Sequence, residues 1–130
     1  MADQETEELL RLNARLLKSI ATADWATYQE LCDPSLTAFE PEARGQLVEG
    51  LEFHRFYFNL GAAKGSHNTT MCSPRVHMLG DTAVVAYVRL TQRVGADGVP
   101  VTAAVEETRV WQRREGRWKH VHFHRSVVPA

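Results

Sequence analysis

Three arginines stand among apolar residues where the chain favours β-strand. Arg89 follows Val85 and Tyr87 at every second position, Arg109 lies between Val105 and Trp111 at the same spacing, and Arg125 follows Val121 and Phe123. Alternate residues of a strand share a face, so each guanidinium is expected on an apolar face, and adjacent strands can aim all three into one concavity. A guanidinium stays protonated, carries a planar fork of donors and is a poor proton shuttle. Buried without an answering group it costs several kcal/mol. Two answers are open. One is internal pairing, with Glu107 on the Arg109 face and Glu40 approaching from a loop. The other is a pocket that takes an anionic ligand.

His120, His122 and His124 also alternate, which predicts three imidazoles on one strand face together with Trp118. That spacing can suit a metal, but no nearby cysteine or carboxylate completes a zinc pattern. Packing and hydrogen bonding are the expectation, with no metal and no cofactor. Cys32 and Cys72 are far apart and read as reduced structural thiols. With 15 Lys+Arg against 16 Asp+Glu, the chain has no broad attraction for nucleic acid or an anionic membrane surface. No apolar run reaches bilayer length, and the opening Met1-Ala2-Asp3-Gln4-Glu5 is acidic where a secretory signal is basic. A cytoplasmic protein is expected.

The elements that position these side chains follow from periodicity. From Glu5 to Ala21, Leu9, Leu12, Leu16 and Ile20 recur at helical spacing, widened by Leu10 and Leu17. Asp24 can cap a second helix, Trp25 to Cys32, closed by Asp33-Pro34. A short extended piece, Leu36 to Phe39, leads through Glu40-Pro41-Glu42 and Gly45 to a helix from about Leu47 to Leu60. Strands are expected at Arg75 to Leu79, Ala83 to Val94, Val101 to Arg113 and Trp118 to Val127, joined by glycine-containing turns into an antiparallel meander. The sum is one α+β domain: an N-terminal helical hairpin and a central helix packed on a strongly curved, mainly antiparallel sheet. On the central helix Leu47, Leu51 and Phe58 form one apolar arc, and Phe53, Phe56 and Leu60 a second. The second arc must meet the first helix or another subunit.

Several successive phrases carry a resemblance: Leu36-Thr37-Ala38-Phe39-Glu40-Pro41-Glu42, Leu47-Val48-Glu49-Gly50, Phe53-His54-Arg55-Phe56-Tyr57-Phe58, Glu106-Glu107-Thr108-Arg109-Val110-Trp111 and Val121-His122-Phe123-His124-Arg125-Ser126. They resemble, in the family's order and over nearly the whole chain, the association (hub) domain of calcium/calmodulin-dependent protein kinase II. The resemblance implies the cone-like fold of the nuclear-transport-factor-2-like superfamily. It further implies self-assembly into a closed two-layered ring, dodecamer- or tetradecamer-like or larger, with a longer kinase carrying the same domain as a further partner. It implies a cavity in which Arg89, Arg109, Arg125 and His54 on the covering helix hold a small carboxylate or an acidic peptide segment. Residues 1–130 are then one association domain with its core at about 5–128, and the absence of a glycine-rich nucleotide loop or a kinase catalytic loop predicts no kinase domain. Glu5, Glu7 and Glu8 beside Arg11, Arg15 and Lys18 make the first helix unlike a basic calmodulin target. The stretch from Gly61 to Thr70 is only loosely family-like.

Relatives of this fold include isomerases, dehydratases and cyclases, which need a positioned proton acceptor. His54 with Glu107 is the pair nominated for that role. The dominance of arginine argues against it, and no catalytic residue is expected. A third reading is an anion sensor, in which a ligand on the arginines alters ring stability.

Overall fold

Asp24 starts the second helix as its cap: Oδ1 accepts from the Thr27 amide at 3.2 Å and Oδ2 from the Thr27 hydroxyl at 2.7 Å. The computed structural model describes residues 2–129. In chain order these are α1 (Ala2–Ala21), α2 (Trp25–Leu31), β1 (Cys32–Phe39), a 3-10 turn (Pro41–Ala43), β2 (Val48–Glu49), α3 (Glu52–Asn59), β3 (His67–Leu79), β4 (Thr82–Val94), β5 (Pro100–Arg114) and β6 (Arg117–Val127).

The apolar stripe of α1 turns inward as expected, with Leu9, Leu16 and Leu17 buried. Asn13 interrupts that stripe and is fully buried. Its Oδ1 accepts from Trp111 Nε1 at 3.1 Å, which answers both polar groups. The core continues through Tyr28, Leu31, Leu36, Ala38, Val85, Trp111, Trp118 and Phe123.

Six strands form one sheet in the order β2-β1-β6-β5-β4-β3. From β3 to β6 the pairing is the antiparallel meander expected from the turns. β1 then joins β6 in parallel, with Ala38 beside Phe123 and Phe39 beside His124, so the sheet is mixed.

Three boundaries differ from the sequence expectation by four residues or more, each for a local reason. The central helix begins at Glu52, not near Leu47, because Val48 pairs with Ala38 and Gly50 adopts a φ of 79°. The Gly50 amide donates to the Leu36 carbonyl at 2.7 Å, which tethers this turn to β1. Leu47 and Leu51 therefore leave the helical arc. β3 begins at His67, not Arg75: Pro74 looks like a strand terminus, but a bulge between Cys72 and Arg75, with Ser73 at a φ of 50°, carries the strand past it. β1 likewise starts at Cys32, with a register shift before Thr37 that accommodates Asp33-Pro34.

A further bulge lies in β6. Trp111 pairs with His120 and Val110 with His122, leaving Val121 as the extra residue. The predicted common face of His120, His122 and His124 is thereby overturned. His120 is buried beside Trp118, whereas His122 and His124 lie with Thr37 and Phe39 on the opposite face. Arg125 and Phe123 share a face as predicted, but Val121, being the bulge, does not set their alternation.

Candidate functional site

Pairing of β4 with β5, and of β5 with β6 beyond the Val121 bulge, sets Tyr87, Glu107 and Arg125 in one row across three strands. The Glu107 carboxylate has no solvent exposure. The Tyr87 hydroxyl donates to its Oε1, and Arg109 Nη2 donates to the same oxygen at 3.2 Å. Arg109 Nε donates to the Tyr87 oxygen at 2.9 Å, which closes a small ring of hydrogen bonds. The Arg109 guanidinium carbon stands 4.4 Å from the centre of the Phe123 ring, an arrangement the ring quadrupole favours. Arg89 reaches the same carboxylate, its Nη2 2.9 Å from Oε2, but at an angle that does not make a hydrogen bond.

Burial pushes the Glu107 carboxyl upward, yet the charges of Arg109 and Arg89 and the Tyr87 hydrogen bond outweigh it and hold the group below its ordinary range. For Arg109 burial disfavours the charge, and Glu107 and Tyr87 more than restore it. Arg89 is less well compensated: burial lowers it despite Glu107, with Arg109 and Arg125 acting the same way.

The rest of the site comes from β1, the 3-10 turn and α3. His54, on the inward face of α3, contacts Glu40 Oε2 through Nε2, and the two side chains are only 9% and 5% exposed. Its ring meets Phe53 edge-on and lies tilted against Tyr28 and Phe123. Arg125 Nη2 lies 3.6 Å from Glu40 Oε1 and bonds directly to Glu42 Oε1. Between these groups is a cavity of about 240 Å³, lined by Glu40, Glu42, His54, Arg89, Arg109 and Arg125, with Tyr28, Phe58 and Phe123 as apolar walls.

Arg89, Arg109, Arg125, His54 and Glu40 thus line one concavity, with Glu107 buried behind Arg89 and Arg109. Internal pairing, left open by the sequence, accounts for much of their charge, with Glu40, Glu42 and Glu107 against the three arginines. It is incomplete: His54 Nδ1, Arg89 Nε and Glu107 Oε2 are buried with no hydrogen-bond partner among the described residues. The nominated His54–Glu107 pair does not form, because Glu107 is taken by Tyr87 and two arginines, and Glu40 takes His54. Glu42 was missed. The signal was present in the phrase Glu40-Pro41-Glu42, whose two carboxylates flank a helix-starting proline, but spacing alone does not say that both turn inward. Phe53 packs on His54, outside the cavity lining, while Phe56 and Leu60 are 61% and 69% exposed.

Among the described residues no group of three or more His, Cys, Asp or Glu converges as a metal site. His120 is buried with Nδ1 3.4 Å from the Cys32 sulfur, and His122 Nδ1 is 2.7 Å from the Thr37 hydroxyl. Burial pushes the Cys32 thiol up to about 12, which removes the thiolate needed for nucleophilic chemistry. No helix among the described residues is long and apolar enough to cross a membrane.

Comparison with known proteins gives this geometry a family. Residues 5–129 match the family described as the calcium/calmodulin dependent protein kinase II association domain. The calcium/calmodulin-dependent protein kinase type II subunit delta of Oryctolagus cuniculus is 48% identical over 127 residues, covering 95% of this chain and 24% of that protein. The chain therefore spans about a quarter of that relative's length. The solved association domain of C. elegans CaMKII superposes with a TM-score of 0.91 at 48% identity, covering 95% of this chain and 96% of that one. A nuclear transport factor 2-like protein from Salmonella enterica shares the fold, with a TM-score of 0.79 at 22% identity, covering 100% and 95% of the two chains. The chain belongs to the calcium/calmodulin-dependent protein kinase II association-domain family and has the nuclear-transport-factor-2-like fold.

Proposed function

We propose that this chain is a self-assembly module that packs against copies of itself until a two-layered ring closes, dodecamer- or tetradecamer-like or larger. The observation that carries this reading, beyond family membership, is the outward face of the sheet. Along β4 the burial alternates, with Ala83, Val85 and Tyr87 inside and Val84, Ala86, Val88 and Leu90 on the other face. On β5, Val110 and Ala104 stand opposite Val84 and Leu90, with Thr108 and Glu106 between them opposite Ala86 and Val88. An antiparallel sheet with one face in water normally alternates apolar with polar, and the run of Val84, Ala86, Val88 and Leu90 along one strand, even with Glu106 and Thr108 beside it, supports a protein-contact surface. Phe56 and Leu60 supply a second exposed patch at the end of α3, with Phe53 joined to Phe56 through the Tyr57 ring. Native mass spectrometry tests the assembly: a species many times the 14.7 kDa chain mass is expected, and a well-folded monomer at high concentration overturns it. A longer kinase carrying the same domain is the natural companion in mixed rings.

The cavity is read as a site for a small carboxylate or an acidic peptide side chain. Arg89 and Arg125 are its working donors, Arg109 the buried charge behind them and His54 the lining group. The partnerless Arg89 Nε and His54 Nδ1 support it, since buried polar atoms are ordinarily satisfied. Calorimetric titration with short hydroxycarboxylates tests it, and absence of heat from the native protein counts against it. We assign these residues no catalytic step. A second reading, proton transfer on a bound acid, is favoured only by the Glu40-oriented imidazole. It requires the protein to catalyse deuterium exchange into a short hydroxycarboxylate, followed by NMR.

A further inference from the structure

The pocket as folded is already occupied by a carboxylate of its own. Arg109 is fully buried and committed to Glu107, Tyr87 and the Phe123 ring, and Arg89 leans on Glu107. Arg125 is the remaining guanidinium, and two carboxylates reach it. Glu40 is 5% exposed, 3.6 Å away, and held on its other oxygen by His54. Glu42 bonds Arg125 directly, lines the same cavity and is 36% exposed, so one side of its side chain already touches water.

We propose that Glu42 is an intramolecular stand-in for the ligand: its carboxylate holds the Arg125 end of the cavity and must swing into solvent before an external anion enters. Residue 42 then sets how tightly the pocket binds, and for which anions. The inference rests on the anion-pocket reading above and adds to it the group that competes.

The backbone makes such a release local. The 3-10 turn is fastened by Ala43 N to Glu40 O, Arg44 N to Pro41 O and Gln46 N to Ala43 O, each at 3.1 Å, and Ala43 is buried. None of these bonds involves the Glu42 side chain. Rotation about its own side-chain bonds carries the carboxylate outward while the turn, Glu40 and His54 stay in place. Glu40 has no such route, because its departure would strand His54 in the interior. A tethered carboxylate acts at an effective concentration of about millimolar or more, so a free acid must outcompete it. The Arg125 hydrogen bond and charge hold Glu42 below its ordinary range against the opposing effect of burial, so near neutrality it stays an anion and remains a competitor.

The test is calorimetric titration of the assembled protein with propanesulfonate and butyrate, comparing the native chain with Glu42→Gln and, as a charge control, Glu49→Gln on the exposed edge strand β2. Glu42→Gln is expected to bind both anions at least tenfold tighter, and Glu49→Gln to match the native chain. Equal affinity in native and Glu42→Gln protein overturns the stand-in and leaves the pocket reading intact. No binding in either overturns the pocket reading itself. Equal tightening in Glu42→Gln and Glu49→Gln reduces the effect to general charge and also overturns the proposal. If Glu42→Gln fails to fold, Glu42→Asp keeps the charge but withdraws it by one methylene, and an affinity no better than native overturns the inference.

Discussion

The Tyr87 hydroxyl stands directly across the strand pair from Glu107 and donates to its carboxylate while accepting from Arg109. One neutral side chain thus contributes a bond to each of two buried charges. A carboxylate and a guanidinium at this depth are tolerable only when their remaining donors and acceptors are met, and Tyr87 meets one on each.

Replacing Tyr87 by phenylalanine keeps the ring but leaves Arg109 Nε without its acceptor and Glu107 without its hydroxyl donor. The expected loss is about 1–3 kcal/mol, read as a lower chemical-denaturation midpoint at fixed protein concentration. Glu107→Gln is expected to cost more, about 3–5 kcal/mol, because it leaves buried guanidiniums without a counter-charge. A Glu107→Gln protein as stable as Tyr87→Phe would contradict the assignment of Glu107 as the anchor.

His120 makes stability fall on acidification. Burial, and then the charge of Arg109, pull its pKa well below the ordinary histidine value, so the folded chain keeps it neutral while the unfolded chain takes up a proton. Its contribution is complete above the unfolded value of roughly 6.5 and is lost as pH falls below it, at up to about 1.4 kcal/mol per pH unit. His122 shifts the same way, through burial and His124. Denaturation midpoints should therefore drop between pH 7.5 and pH 5.5, and the drop should shrink in His120→Asn. An equal drop in both proteins removes His120 as the source.

Glu107 acts in a lower window. Its folded pKa is depressed, so its stabilisation is present above the unfolded carboxyl value of roughly 4.3 and is lost as pH falls through the folded value. Acid unfolding below about pH 4 should accordingly be less steep in Glu107→Gln than in the native chain.

On the opposite face of the sheet, Val88→Glu places a second carboxylate across from Glu106 in the proposed contact between copies. Val88 is only partly buried within its own chain, so the fold should survive. Native mass spectrometry is expected to show loss of the large species and gain of small ones. A full-size assembly from Val88→Glu would move the interface elsewhere, and Phe56→Glu then tests the α3 patch.

What could be seen in advance follows from where the alternation is unbroken. β4 and β5 pair residue for residue from Thr82 with Gln112 to Val94 with Pro100, so the inward positions of Arg89, Arg109 and Glu107 were readable by counting in twos. β6 contains a bulge, and counting through it misplaced His122 and His124. The start of α3 was hidden because Leu47, Leu51 and Phe58 mimic a helical stripe, while Gly50 at positive φ is what ends the possibility of a helix there. Parallel addition of β1 beside β6, the partnership of His54 with Glu40 and the inward turn of Glu42 are tertiary facts. Each depends on a contact between separate elements of the chain, and no local period encodes it.

The surplus residue at Val121 also decides parity. Trp118 and Arg125 are an odd number of steps apart, yet both point to the interior, and only the bulge reconciles them. Substitutions scanned along β6 should then trace two combs of sensitivity in opposite phase, even-numbered before Val121 and odd-numbered after it. Deleting Val121 alone would merge the combs into one without turning a single guanidinium or imidazole around, whereas a deletion nearer Arg125 would send that guanidinium out of the cone.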